Sequence, residues 1–420
     1  MKGRTIASPF GLCAVLAATL AIAASAAASV SAPDRAAAKS ITVWLQTDAQ
    51  AANWAPIVAA ANAQFQKAHP GVGVDVQYQT WGTHLQKFDA TIAGGSTPDV
   101  IEMGNSEMTK YMAAGAFSSL DKSSFDNAAN WLKGLAGSGA YGGKTYGVPY
   151  YAGSRVVTYR KDLFSKAGIK KLPATTAQYV ADAKKLLASN SAKGFSPVYI
   201  AGTDWYVAMG FVFDNGGGIA TEVSGKWHSL LSSPKSLAGL AAYKAFFNAT
   251  SRASKTTDET HPNPYDVYAQ GQAASILGPS WFTCCTGAKY KASTAQFVMP
   301  GHAAGQSMPG FAGGSDLAVP VTSGSKSLAS DWIKDFTSTS SEKALQAKGN
   351  IPNATNLLGN SVNERAAARS WFVPTAKHWV DVENGNILRN MLRQILTGKL
   401  SIKQAAASAG DNIESVLNQS

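Results

Sequence analysis

The chain has 420 residues, of which 45% are hydrophobic and 15% are charged, and its formal net charge is +11. This length can hold two ordinary α/β domains, and the apolar fraction is typical of a globular protein and excludes a disordered one. The basic residues form nothing larger than pairs such as Lys170-Lys171, whereas a nucleic-acid site needs a clustered stripe, so we expect no nucleic-acid partner.

The N-terminus has the pattern of a secretory signal peptide. Lys2 and Arg4 precede an apolar segment from Phe10 to Ala24, and small residues at Ala24-Ser25-Ala26 form a cleavage site. We assign residues 1–30 to this signal peptide and expect a protein secreted across the cytoplasmic membrane, to an extracellular, cell-surface or periplasmic location. An uncleaved membrane anchor is the alternative, although the segment is short for a membrane span.

Strands and helices alternate in the first part of the mature chain. Trp54, Ile57, Val58, Ala61 and Phe65, for example, have the spacing of the buried face of a helix. The predicted elements are a strand at Ile41–Leu45, a helix at Asn53–Ala68, a strand at Val72–Tyr78, a helix at Thr83–Ala93 and a strand beginning at Pro98. This order predicts a mostly parallel sheet with helices on both faces.

Polar residues follow two of these strands. Gln46 and Asp48 come after the first strand, and Asn105 and Glu107 come after the third. Because ligands bind beyond the carboxyl ends of strands in such sheets, we predict these four residues as ligand contacts. At the third strand, helix capping by Ser106 and Glu107 is an alternative role.

The stretch from Tyr141 to Ile169 predicts a crossover between two sheets. Extended chain at Val148–Tyr151 is followed by a β-branched run at Val156–Tyr159. Pro149 has no N–H for a sheet ladder, so the chain is expected to leave one sheet here and enter another.

The second part of the chain predicts further alternation. Its elements are a capped helix from Thr175 to about Ser189, a strand at Pro197–Ile200, a helix from Asp204 to near Asp214, a hairpin around Gly225-Lys226-Trp227, a helix from Ser233-Pro234, a strand ending at Gly278-Pro279, a strand at Phe297–Gly301, a strand within Gly310–Pro320, and helices near 327–337, 342–348, 386–396 and 402–417. We find no tandem repeat.

Several motifs identify a family resemblance. The crossover contains Gly143-Lys144-Thr145-Tyr146-Gly147-Val148-Pro149 and Tyr159-Arg160-Lys161-Asp162-Leu163, and later come Gly278-Pro279-Ser280-Trp281, the GG-x-x-L-A-V strand from Gly313 and Gly349-Asn350-Ile351-Pro352. This set resembles the extracellular solute-binding proteins of carbohydrate ABC importers, the maltose-binding-protein-like family. The resemblance covers residues 40–420.

The resemblance implies a two-lobed periplasmic-binding-protein-like α/β fold of type II, with a mostly parallel sheet flanked by helices in each lobe. The implied N-terminal lobe comprises residues 40–151 and 311–349, and the C-terminal lobe comprises residues 152–310 and 350–420. The implied function is capture of a mono- or oligosaccharide by hinge closure and its delivery to the permease subunits of an ABC importer. We expect a monomer that needs no cofactor.

A sugar site needs short carboxylates and amides around a flat aromatic side chain. Trp281 directly follows a Gly-Pro-Ser turn, which favours a stacking role, with core packing as the alternative. The resemblance places Asp48 and the pair Asp204 and Tyr206 among the hydroxyl-binding residues.

Six further residues have weaker support as ligand contacts. Tyr150 and Tyr151 lie at the crossover, where hinge packing is the alternative, and Trp205 is equally consistent with core burial. Gly314, Ser315 and Asp316 lie at the returning crossover, where glycine allows the backbone to approach a ligand closely.

Two cysteines, Cys284 and Cys285, remain in the mature chain and are adjacent. A disulfide between them and a pair of free thiols are both compatible with a secreted protein. The histidines show no metal-binding spacing, so no metal site is predicted. The competing functions are binding of a non-carbohydrate polar solute and, less favoured, glycan hydrolysis by a pair of the carboxylates.

Overall fold

The computed structural model describes residues 40–47 and 51–419, so the predicted signal peptide and Asp48 lie outside the described residues. The strands are β1 (Ser40–Gln46), β2 (Gly73–Gln79), β3 (Val100–Gly104), β4 (Ala140–Tyr141), β5 (Lys144–Thr145), β6 (Gly147–Gly153), β7 (Arg155–Arg160), β8 (Ala220–Val223), β9 (Lys226–Ser229), β10 (Ser275–Pro279), β11 (Thr294–Phe297), β12 (Gly310–Phe311), β13 (Gly313–Ala318) and β14 (Ser370–Trp371).

The helices are α1 (Ala51–Ala68), α2 (His84–Gly94), α3 (Met108–Ala113), α4 (Lys133–Ser138), α5 (Lys161–Lys166), α6 (Thr176–Ser189), α7 (Trp205–Asp214), α8 (Pro234–Thr250), α9 (Pro264–Ala269), α10 (Lys326–Phe336), α11 (Thr339–Ala347), α12 (Val362–Ala367), α13 (Trp379–Asn384), α14 (Ile387–Thr397) and α15 (Ile402–Leu417). Within the described residues, no helix has the length and apolar character needed to cross a membrane.

The first lobe is built on a five-stranded sheet with the order β2-β1-β3-β13-β6. β1 pairs in parallel with β2 and β3, and β13 pairs antiparallel with both β3 and β6. Four of the five strands therefore point the same way, as the β-α-β-α-β pattern predicted. The carboxyl ends of β1, β2 and β3 meet at one edge of the sheet.

Helix α1 covers one face of this sheet. Trp54 and Phe65, at the predicted helical spacing, are buried against β1 and α10. Trp332 of α10 is fully buried, and its indole N–H donates to Asn62 Oδ1 at 2.7 Å. The hydrogen bond satisfies the indole N–H of Trp332, and the packing holds α1 against α10.

The second lobe contains the sheet β10-β7-β11, in which β7 runs antiparallel to both neighbours. The predicted strand at Pro197–Ile200 does not form a continuous strand, and Ser196 and Tyr199 make isolated parallel bridges to Ala273 and Ile276. The reason is that Pro197 has no N–H, while the N–H of Val198 donates to Thr250 O at 3.2 Å instead of to a strand.

The predicted crossover is confirmed, because the chain leaves the first sheet with β6 and enters the second with β7. The return segments lie beside it. Ala152 and Ile351 exchange two backbone hydrogen bonds of 2.9 and 2.7 Å, and Gly153 pairs with Gly313. Chain segments near 153, 312 and 350 thus connect the two sheets, while the exact lobe limits stay a prediction.

Candidate functional site

Asn105, Ser138 and Asp316 form a hydrogen-bonded cluster at the edge of the first sheet. Asn105 Nδ2 donates to Asp316 Oδ2 at 3.0 Å, and the Ser138 hydroxyl donates to the same oxygen at 2.8 Å. Asp316 is fully buried, and burial raises its pKa to about 7 despite these two bonds. The predicted contacts Asn105 and Asp316 are therefore brought together by β3 and β13.

Glu107 follows β3. Its side chain makes no capping hydrogen bond to α3 and instead contacts two other groups. Its Oε2 accepts the Gly104 N–H at 2.8 Å and lies 2.9 Å from His84 Nε2. Burial lowers the pKa of His84, but the hydrogen bond and charge of Glu107 outweigh this, so the pKa is raised. The pair ties α2 to the loop after β3.

The remaining predicted contacts in the first lobe face neighbouring protein groups. Gln46 is buried and bonds Glu102, its N–H donating to Oε2 at 2.7 Å. Tyr150 and Tyr151 are buried beside Trp54, with ring centroids 6.2 and 4.8 Å from its indole. Both tyrosines therefore lie in packed positions near the crossover, which agrees with the alternative role of hinge packing.

Gly314 and Ser315 lie in β13 opposite β6. A Cβ added at Gly314 would lie 2.1 Å from Tyr151 O, so the close backbone approach at this glycine is to the neighbouring strand. The Ser315 hydroxyl is buried and donates to the Tyr151 hydroxyl at 3.3 Å.

Asp204, Trp205 and Tyr206 begin α7 in the second lobe. The Asp204 carboxylate caps the helix by accepting the Val207 N–H at 3.1 Å, and burial raises its pKa to about 6. Trp205 is buried in the second core and stacks on Tyr206 with 4.0 Å between ring centroids. Tyr206 also lies under the Arg155 guanidinium, 4.4 Å from its ring centroid.

A group of charged residues lies beside α7, and no sequence pattern indicated it. Arg389 pairs with Glu259, and Glu383 accepts the Trp379 indole N–H at 2.6 Å. Burial, and to a smaller extent the charge of Glu107, raise the pKa of Glu383 to about 7. The Ser106 side chain of the first lobe lies close enough to the Glu383 carboxyl to lower its pKa slightly. α13 therefore reaches the loop that follows β3.

Trp281 lines a cavity of about 250 Å³ to which both lobes contribute. Asn53 of α1 and Lys348 at the end of α11 come from the first lobe. The second lobe contributes Trp281, Thr283, Cys284, Thr286, Lys291 and Thr294. Of the predicted site residues that the structure describes, Trp281 and Cys284 line this cavity.

The cavity wall around Trp281 is a short 3₁₀ helix at Ser280–Cys285. Cys284 and Cys285 form a disulfide within it. Trp281 is half-buried and packs on Phe282 and Tyr265, with ring centroids at 4.9 and 5.9 Å. Trp281 therefore contacts two aromatic rings of the second lobe and also lines the cavity.

Trp81 is a second aromatic side chain near the first-lobe edge that sequence reasoning missed. It follows β2, is 38% exposed, and lies edge-on to the His84 ring at 5.1 Å. An added Cβ at Gly104 would lie 3.4 Å from its ring. Its position in the sequence could have indicated it, because Trp81 comes just after β2. The carboxyl end of β2 lies at the same edge of the first sheet as Gln46 and Asn105.

A larger groove of about 660 Å³ lies between α14 and α15, where all lining residues belong to the second lobe. Closure of the lobes would not cover a ligand there, so the Trp281 cavity is the better candidate. Within residues 40–47 and 51–419, no three His, Cys, Asp or Glu side chains form a group that could hold a metal ion.

Comparison with known proteins shows that the sequence is similar to bacterial solute-binding proteins. A sequence profile of the family described as bacterial extracellular solute-binding protein matches residues 48–343. The diacetylchitobiose binding protein DasA of Streptomyces coelicolor is 30% identical over 395 residues, which cover 91% of this chain and 90% of that protein.

Solved structures are similar in fold. The GacH receptor of Streptomyces glaucescens superposes with a TM-score of 0.79 at 20% identity, covering 91% of this chain and 99% of that chain. Maltose-bound MalE3 of T. maritima superposes with a TM-score of 0.75 at 19% identity, covering 90% of this chain and all of that chain. Both comparisons indicate the two-lobed architecture.

Proposed function

Because this chain belongs to the family of bacterial extracellular solute-binding proteins, we propose that it captures a mono- or oligosaccharide outside the cytoplasmic membrane and delivers it to the permease of an ABC importer. The chain is exported through its signal peptide, acts as a monomer and consumes no ATP itself.

The observation that carries this proposal is the Trp281 cavity. It joins an aromatic side chain from one lobe to an amide and an ammonium group, Asn53 and Lys348, from the other. An indole face stacks on the C–H face of a sugar, and the surrounding donors bind its oxygens. Its volume of about 250 Å³ lies near the lower end of ligand pockets, roughly 300 to 1,000 Å³, which favours a short ligand.

The lining residues also indicate which sugar to test first. The side chains around Trp281 include two lysines, one asparagine and three threonines, and no carboxylate. These groups donate hydrogen bonds, so they suit a sugar that carries additional acceptors such as acetamido carbonyls. DasA, a diacetylchitobiose binding protein, is the 30% identical relative, which makes diacetylchitobiose the first ligand to test.

Capture proceeds by closure of the two lobes about the connecting segments near 153, 312 and 350. A ligand that contacts both lobes only in the closed form shifts the equilibrium by its differential affinity for that form. The closed surface is then what the permease recognises.

Binding without hydrolysis is supported by the positions of the carboxylates. Glycoside hydrolysis needs two carboxyl groups flanking the bond, whereas Asp204 and Asp316 are both buried and hydrogen-bonded within their own lobes. The relatives described above are binding proteins, and none is described as an enzyme.

Titration of the purified mature protein with diacetylchitobiose, chitotriose, maltose and glucose tests the function. We expect saturable thermal stabilisation and a change in tryptophan fluorescence with at least one sugar, and no released product. Product formation would instead establish a hydrolase, and silence with every sugar alongside a response to a peptide or polyamine would contradict sugar capture.

A further inference from the structure

The 3₁₀ helix at Ser280–Cys285 presents more than Trp281 to the cavity. A 3₁₀ helix has three residues per turn, so side chains three positions apart lie above one another on the same face. Trp281 and Cys284 have this separation, and both line the cavity. Cys284 is also exposed, so it is accessible from the cavity that it lines.

Cys285 lies on a different face of the same segment, the face that carries Phe282. It is half-buried and follows Phe282 by three positions. Phe282 is buried, and its ring packs so closely on Gly278 that an added Cβ there would lie 2.1 Å from it. The disulfide therefore connects the cavity face to a packed part of the second lobe, which fixes the position of the exposed Cys284 sulfur.

We propose that the Cys284–Cys285 disulfide is a ligand-contacting surface that, with Trp281, forms one apolar wall of the cavity and helps determine which sugar binds. This inference rests on the proposed function. Disulfide sulfur is polarisable and carries no hydrogen-bond donor, so it suits a sugar's C–H groups. The hydroxyl, amide and ammonium groups of Thr283, Lys291 and Asn53 remain for its oxygens.

Reduction would change this wall in two ways. Two separate thiols would replace one apolar surface with weak S–H donors, and the two side chains could then adopt different rotamers. Exposed disulfides are accessible to reductants, so the change can be made in the native protein. A bound sugar should cover Cys284 and slow that reaction.

The experiment compares oxidised protein, protein reduced with tris(2-carboxyethyl)phosphine, and the double variant Cys284→Ser with Cys285→Ser. Diacetylchitobiose is the probe, and calorimetry measures its affinity. We expect about tenfold weaker binding for the reduced protein and for the variant, which corresponds to about 1.4 kcal/mol. The variant should not respond to the reductant, which controls for effects on other parts of the chain.

A second readout separates ligand contact from a purely structural role. The rate of disulfide reduction, followed by mass spectrometry after alkylation, should fall several-fold when the protein is saturated with sugar. Circular dichroism and thermal unfolding establish that the double variant is folded, and if it is not, the reduced wild-type protein and the reduction rate decide the outcome.

Unchanged affinity on reduction, with no protection by sugar, would overturn the inference while leaving sugar capture intact. Failure of the oxidised wild-type protein to bind any sugar of the panel would overturn both proposals. The two failures are therefore distinguishable, because only the second abolishes binding by the oxidised protein.

Discussion

Trp281 offers the largest flat apolar surface among the residues that line the cavity. We expect Trp281→Ala to weaken sugar affinity by roughly 30- to 150-fold, because stacking side chains of this type contribute about 2 to 3 kcal/mol to recognition. Calorimetric titration with the sugar that binds the wild-type protein measures the loss. The fold should be retained, since Trp281 is only half-buried.

Trp227→Ala provides the matched control for that variant. Trp227 is also half-buried, but it lies in the β8–β9 hairpin and its backbone bonds Asn418. We expect unchanged affinity for this variant. Equal affinities of the wild-type protein and Trp281→Ala would remove Trp281 from the ligand site.

At the scale of single residues, the sequence could place a side chain near a strand end but could not determine where it points. Trp281 and Trp205 illustrate the problem, because both follow turns and both had core packing as an alternative. The structure places Trp205 among Tyr206, Trp371 and Trp379 and leaves Trp281 at a cavity. That difference depends on contacts between residues far apart in sequence, which periodicity does not report.

The strand pair β6–β13 holds the two lobe connections together. At Gly314 an added Cβ would meet backbone, Tyr151 O at 2.1 Å, so the strands would have to separate. We expect Gly314→Ala to lower the free energy of unfolding by about 2 kcal/mol, the usual range for forcing extra volume into packed structure. Urea unfolding followed by circular dichroism measures the change.

Gly153 in β6 gives a control within the same strand pair. It pairs with Gly313, and an added Cβ at Gly153 meets no atom within 4 Å. Gly153→Ala should therefore leave the free energy of unfolding within about 0.5 kcal/mol of the wild-type value. Equal destabilisation by both substitutions would show that backbone contact at Gly314 is not the cause.

At the scale of elements, strong periodicity was sufficient for the long helices, whereas short helices such as α12 and α13 were not predicted, because six residues are too few to show a period. A proline caused a further error. The predicted helix at 402–417 agrees with α15, whose Ser401 cap and Gln404 form a capping box. The predicted strand at Pro197–Ile200 was wrong as a continuous strand, because its neighbouring N–H groups bond Thr250 and Ser251 instead. Apolar composition indicated burial there but not which backbone partners would be available.

The two-lobed architecture could be predicted from motifs spread along the chain, but the contacts between the lobes could not. Glu383 of α13 faces Ser106 and Glu107 of the first lobe, and Asp381 of the same helix lies near enough to affect Tyr111. These residues are separated by more than 250 positions in the sequence. No local pattern connects them.

We predict that Glu383 makes closure of the ligand-free protein dependent on pH. Burial raises the pKa of Glu383 to about 7 in this structure, where the side chain lies near Ser106 and Glu107 of the first lobe. In a form with the lobes apart, solvation would return the pKa toward the ordinary glutamate value, about 4.3. The closed form therefore binds the proton more tightly. Closure is favoured as the pH falls from about 7 toward 4.3 and is opposed above pH 7, by about 1.4 kcal/mol for each pKa unit that opening restores.

Energy transfer between dyes placed on the two lobes can follow this equilibrium from pH 5 to pH 8. We expect the ligand-free wild-type protein to close further as the pH falls, and Glu383→Gln to be more closed at pH 8 with little dependence on pH. Asp204 and Asp316 titrate in the same range, but their hydrogen-bond partners lie within their own lobes. Glu222→Gln, on the exposed β8 strand, should behave as wild type, and a pH response that survives in Glu383→Gln would assign it to another group.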